Sequence, residues 1–154
     1  MAEVADLSEG VPIGGRDQVE ADVSNSENVQ AVRRLFDAFY AADEEAMSGL
    51  IGDDFVTHAP GRGTGDAAGW KAMAAKTAAA IPDNRTEIED VFGDGDKVAV
   101  RYTSRGTHSG ELFGVAPTNR LLTTSGMEMY RLSSGRIVEC WGQYDMSELF
   151  APSP

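Results

Sequence analysis

At 154 residues the chain holds one hydrophobic core and is too short for two ordinary domains, and 42% hydrophobic with 25% charged residues is the balance of a folded globular protein. A net charge of -12 sets the mean field against phosphate backbones and anionic lipid, so neither nucleic acid nor a membrane surface is an expected partner. Cys140 stands alone, which excludes an intramolecular disulfide and any site built from several thiolates.

The N-terminus carries no basic segment followed by an apolar stretch, and no apolar run anywhere approaches the roughly 20 residues that cross a bilayer. A cytoplasmic protein is expected. Residues 1–26 read as a flexible acidic arm, because Glu3, Asp6, Glu9, Asp17, Glu20 and Asp22 face only Arg16 and almost no large apolar residues. A domain over 27–150 follows, with a short tail at 151–154.

The first helical period begins after Ser26, a candidate cap, and aligns Val29, Val32, Leu35, Phe36, Phe39 and Tyr40 on one face. A short helix over 44–51 stops at Gly52; residues 55–58 read as a brief strand before Pro60 and a glycine-rich loop. Asp66 caps a third helix whose buried stripe is Trp70, Met73, Thr77, Ala80 and Ile81, and Pro82 cannot continue it. Strands over 86–92 and 98–108 flank Gly-Asp-Gly-Asp at 93–96. Strands over 121–132 and 137–145 flank Ser133, Ser134 and Gly135, and each pair forms a hairpin. Helices first and long antiparallel strands afterwards make an α+β fold whose helices cover one face of the sheet. A twisted sheet curled over helices leaves a concave space, a ligand pocket if large side chains do not fill it.

Several runs, in this order, resemble the SnoaL-like polyketide cyclases of the nuclear transport factor two-like superfamily from about Asn28 to Leu149. They are Val32-Arg33-Arg34-Leu35-Phe36, Asp53-Asp54-Phe55-Val56 with His58, residues 95–102, residues 106–114, Pro117-Thr118, and Gly135-Arg136-Ile137-Val138-Glu139 leading to Trp141 and Asp145. The resemblance implies a cone-shaped fold with three N-terminal helices on a curved, mainly antiparallel sheet, usually a homodimer, with no metal and no organic cofactor. It also implies ring closure on a hydrophobic polyketide or prenylated intermediate in natural-product biosynthesis, by aldol or epoxide-opening chemistry. In the aldol cyclases the key acid/base is an Asp on the last strand; the matching position here is Gly142, and Cys140 matches a common His two residues earlier. Glycine transfers no proton. The Arg-x-Asp pair of epoxide hydrolases on a similar fold is also missing, since Arg101 is followed two places on by Thr103.

Strand alternation puts Tyr102, Ser104, Gly106 and His108 on one face, and Leu122, Thr124, Gly126, Glu128 and Tyr130 on another. By resemblance the faces of Glu128 and Cys140 look into the pocket, where desolvation raises a carboxyl pKa toward the range useful for proton transfer. Glu128 is therefore the first candidate for general acid or base; the alternative is a solvated ion pair with Arg101, Arg105 or Lys97. His108 and His58, each at the end of a strand beside a glycine-rich loop, are candidates for shuttling a proton, or cap turns instead. Tyr102 is a candidate to hold or protonate a substrate oxygen. Phe36, Phe39, Tyr40, Trp70, Met73 and Tyr130 are candidate substrate contacts, with plain core packing as the alternative. Asp145 reads as a cap for a last helix near Ser147, Trp141 as a sheet or dimer contact, and Cys140 as a small buried side chain. Cyclase or isomerase activity is one functional reading; a non-catalytic ligand-binding or dimer-scaffold protein and a small ester or epoxide hydrolase are the others.

Overall fold

The structure, a computed structural model, describes residues 15–59 and 63–152, the side chains of 15–19 and 21–23 excepted. Residues 1–14 of the expected arm, Pro60 and its two successors, and the end of the tail lie outside the described residues. Four helices, α1 (Gly15–Ala41), α2 (Glu44–Leu50), α3 (Ala67–Ala80) and α4 (Ser147–Phe150), accompany six strands. These are β1 (Ile51–Ala59), β2 (Gly63–Asp66), β3 (Arg85–Asp94), β4 (Lys97–Thr107), β5 (Leu121–Ser133) and β6 (Arg136–Asp145). They form one sheet in the order β2-β1-β6-β5-β4-β3. Only β1 and β6 run parallel.

Helix α1 starts at Gly15 instead of after Ser26, so the later part of the expected arm is helical. No proline or glycine interrupts residues 16–28, and propagation adds one hydrogen bond for each residue fixed once a helix exists. In the extension Glu20, Ser24, Ser26 and Glu27 are exposed, polar positions that give no helix signal. From Val32 onward the inner face takes over, with Val32, Leu35 and Phe36 buried against Val98, Val100, Tyr102 and Tyr130 of the sheet. Asp43 caps α2 by accepting from the Ala46 N–H at 2.9 Å, and Asp66 caps α3 by accepting from Gly69 at 2.8 Å.

Residues 63–66, expected in a glycine loop, form the edge strand β2, with Thr64 opposite His58. An edge strand with no buried face needs no apolar alternation, so Gly-Thr-Gly-Asp gives no strand signal. Both hairpins form as expected. Ser134 and Gly135 have φ of 51° and 74°, the consecutive left-handed pair of a type I′ turn, and Gly95 at 59° opens the other. A second apolar cluster of Ala80, Ile81, Leu112, Leu122 and Leu149 closes one end of the fold under the 108–120 segment.

Candidate active site

Strand register assembles the centre of the site. Across three strands, Tyr102 of β4 stands opposite Gly126 of β5, which stands opposite Tyr144 of β6. The next inward-facing row is Val100, Glu128 and Gly142; the one after it is Val98, Tyr130 and Cys140. Each glycine makes room for a phenol: a Cβ on Gly126 would lie 2.6 Å from Tyr102 Cζ, and one on Gly142 would overlap the Tyr144 hydroxyl. The tyrosine rings fold over the glycines and bring their oxygens to the Glu128 carboxylate between them.

Three phenols serve that carboxylate. Tyr102 donates to Oε1 at 3.3 Å, Tyr130 donates to Oε2, and the Tyr144 hydroxyl bonds the same group. Burial raises the Glu128 pKa above its ordinary value, and the three hydroxyl donors oppose the shift without cancelling it. Burial and the neighbouring carboxylate push all three phenols up, so they are donors and not phenolates. The cations offered as ion partners stand elsewhere: Arg101 pairs with Glu89 and Asp90, Lys97 pairs with Asp96, and Arg105 is exposed.

Glu128 lines a cavity of about 310 Å³ between helices and sheet. Phe36, Phe39, Tyr40, Trp70 and Met73 bring aromatic and thioether surface from α1 and α3, and Tyr102 and Tyr130 face them from the sheet. Phe39 and Trp70 meet at 4.6 Å between ring centres, and Phe36 stands edge-on to Tyr102 at 5.0 Å. One edge is polar. Asn84 donates to Thr86 at 2.8 Å, Thr86 and Ser104 share a bond of 2.6 Å, and Ser104 donates to the Tyr40 hydroxyl at 3.1 Å. Asn84, Ser104 and Tyr40 all line the cavity, so it offers an apolar grip with hydroxyl and amide groups along one side.

The two histidines are not part of this cluster. In β1, Thr57 and Ala59 line the cavity, so alternation turns His58 to the opposite side of the sheet. There its Nε2 bonds Glu139 at 2.9 Å, and its ring stacks on Trp141 at 5.5 Å and 10°. Glu139 also takes Arg131 and is held below its ordinary pKa, first by His58 and then by Arg131. His108 is fully buried but does not line the cavity. Its Nδ1 bonds Thr118 Oγ1 at 3.1 Å, its N–H donates to Arg120 O, and its carbonyl accepts from Asn119. It pins the 108–120 segment and does not meet Glu128, because that segment leaves β4 just before it.

Asp145 accepts from the Ser147 N–H at 3.0 Å at the start of α4 and is held low by that bond, as expected of a helix-end residue. Cys140 is fully buried, and its thiol is pushed up by burial and by the Glu128 charge, which leaves it no nucleophilic character. Trp141 lies on the outer face, 36% exposed. Tyr144 is the residue that sequence reasoning missed. Alternation from Cys140 and Gly142 gives its face, yet nothing local says that its ring fills the place of a side chain at 142. Among the described residues no three His, Cys, Asp or Glu side chains converge to hold a metal ion.

Known structures share this architecture. IdmH from Streptomyces antibioticus, a candidate polyketide cyclase, is similar with a TM-score of 0.70 at 34% identity, over 80% of this chain and 97% of that one. AclR from Streptomyces galilaeus, a candidate hydroxylase, gives 0.73 at 24% identity over 83% and 88% of the two chains. A candidate SnoaL-like polyketide cyclase from Jannaschia sp. CCS1 gives 0.75 at 22% over 84% and 95%. The latter two attest the fold alone. No curated protein sequence matches the chain. The profile of SnoaL-like polyketide cyclases matches residues 29–152, nearly the whole described fold and every residue of the cavity cluster; the chain belongs to that family.

Proposed function

We propose that the chain is a cofactor-independent cyclase or isomerase that folds a hydrophobic polyketide or prenylated intermediate inside the cavity and moves one proton with Glu128. The observation that carries this reading is a single carboxyl group, raised in pKa by burial and held by three phenols, at the wall of an aromatic-lined cavity. Such a carboxyl retains its proton closer to neutral pH than a solvated glutamate and so serves as a general acid. The aromatic walls of the cavity of about 310 Å³ orient a flexible chain for closure.

Ring formation by epoxide opening suits this site better than aldol closure. Opening needs a proton delivered to the departing epoxide oxygen, which a protonated Glu128 supplies directly or through a phenol bonded to it. Aldol closure needs a strong base, and residue 142, where the aldol cyclases resembled here carry an Asp, is glycine. The second reading is a ligand-binding protein without turnover, and that same glycine favours it. Incubation with a panel of polyketide and prenylated phenol epoxides separates the two. Cyclised product is expected from the wild type, with a loss of roughly a hundredfold or more in kcat for Glu128→Gln. Binding without product supports the second reading, and unchanged turnover in Glu128→Gln removes the residue from the mechanism.

A further inference from the structure

The three phenols on Glu128 are not equivalent. All three line the cavity, but Tyr130 is 1% exposed and Tyr102 6%, whereas Tyr144 is only part-buried and is the most accessible of them. Its hydroxyl lies where the side chain of residue 142 would begin, beside the Glu128 carboxylate that faces Gly142 across the ladder. The Tyr144 side chain thus bonds the carboxyl group and also lines the space a ligand fills.

We propose that Tyr144 is a catalytic residue, the group that touches the substrate oxygen on which negative charge develops, with Glu128 behind it as the proton store. This deepens the cyclase reading and rests on it. In ring closure the Tyr144 O–H bond breaks as an O–H bond forms on the substrate oxygen, and the Glu128 carboxyl proton passes to the phenol oxygen. The hydroxyl that closes the ring gives up one proton, which returns to Glu128; the new C–O bond replaces the broken epoxide C–O bond, and no electrons are transferred to or from an outside reagent. A phenol with a high pKa is a weak acid alone, but it donates readily when a carboxyl group refills it as it gives. The selected substrate therefore has an oxygen that gains charge at the β5 and β6 end of the cavity, with apolar surface against Phe39 and Trp70.

The test is binding and needs no natural substrate. Naphthalene and a nitro-substituted naphthol serve as probes built on one ring system, the naphthol carrying an acidic oxygen that mimics the developing charge. In the wild type the naphthol is expected to bind about tenfold more tightly than naphthalene, a preference lost in Tyr144→Phe while naphthalene affinity holds. Gly142→Ala, which displaces the ring by filling the space under it, is expected to lose the same preference. His58→Ala, on the side of the sheet away from the cavity, is expected to keep it. An unchanged preference in Tyr144→Phe overturns the assignment even if Glu128→Gln abolishes turnover. Equal losses for both probes overturn it as well, since they report packing alone. If neither probe binds the wild type, the cavity reading fails and this assignment with it.

Discussion

Glu128 and Gly142 face each other across the β5 and β6 ladder, and the ring of Tyr144 occupies the space that a side chain at 142 would need. The Tyr144 ring and any side chain at 142 therefore compete for one space. Gly142→Asp, which introduces the aldol-cyclase residue, is expected to collide with Tyr144 and destabilise the fold by about 1–3 kcal/mol, as overpacking does. It also sets a second carboxylate beside Glu128, and like charges raise each other's pKa. Urea unfolding is expected to show a loss that grows as pH rises. Gly142→Asp combined with Tyr144→Ala should recover part of the stability; strict additivity of the two would show that the side chains do not compete for one space.

Glu128 imprints its own pH dependence on stability. Its pKa is raised in the folded protein, so between the ordinary glutamate value and the higher folded value the native state binds more protons than the unfolded chain. Stability from this group is fully present below that window and is lost as pH rises through it. Glu128→Gln has no such proton to lose. The stability of the wild type relative to Glu128→Gln is expected to fall with increasing pH and to level off above the folded value, and parallel curves for the two proteins would mean that the carboxyl is not raised.

His58 is expected to be dispensable for turnover. His58→Ala removes a bond to Glu139 and a stack on Trp141, both on the side of the sheet away from the cavity, so kcat and KM should stay within about twofold of wild type. The effect should appear in the acid limb of stability. Glu139 is held below its ordinary pKa, which gives stability above that value and loses it as pH falls through the lowered one. Without His58 the folded pKa moves back toward the ordinary value, and the wild type loses its advantage over His58→Ala as the medium is acidified.

These outcomes follow parity more than pattern strength. The periods of α1, α3 and the two hairpins expose the α+β architecture in the sequence, because each element buries one face and its apolar residues repeat accordingly. Alternation also puts Glu128 and Tyr130 on one face of β5, and the register with β4 brings Tyr102 to them. His58 was misplaced although Phe55, three residues earlier in the same strand, points into the core and so fixes the opposite side for position 58. Tyr144 and the edge strand β2 were illegible for another reason: their roles depend on groups far off in the chain, the carboxylate on β5 and the paired backbone of β1. Before Ser26, Glu20 and Ser24 are exposed and give a pattern reading no helix signal.

The outer face of β5 and β6 carries Met127 at 61% exposure, Met129 at 43% and Trp141 at 36%, with Met129 and Trp141 directly opposite in register. Apolar side chains contiguous across two long central strands are poorly suited to water and well suited to a second sheet. Self-association through this face, which the family resemblance leads one to expect, is the predicted outcome. Sedimentation of the wild type should give a dimer and that of the double variant Met127→Lys, Met129→Lys a monomer, with the fold intact by circular dichroism. Each copy carries a net charge of -12, so dimerisation brings like charges together and should tighten as salt screens them. Because the cavity opens on the opposite side of the sheet, the monomeric variant should still bind naphthalene with wild-type affinity. A wild-type monomer at all salt concentrations, or a double variant that remains dimeric, would place the contact elsewhere and leave the two methionines as exposed surface without a partner.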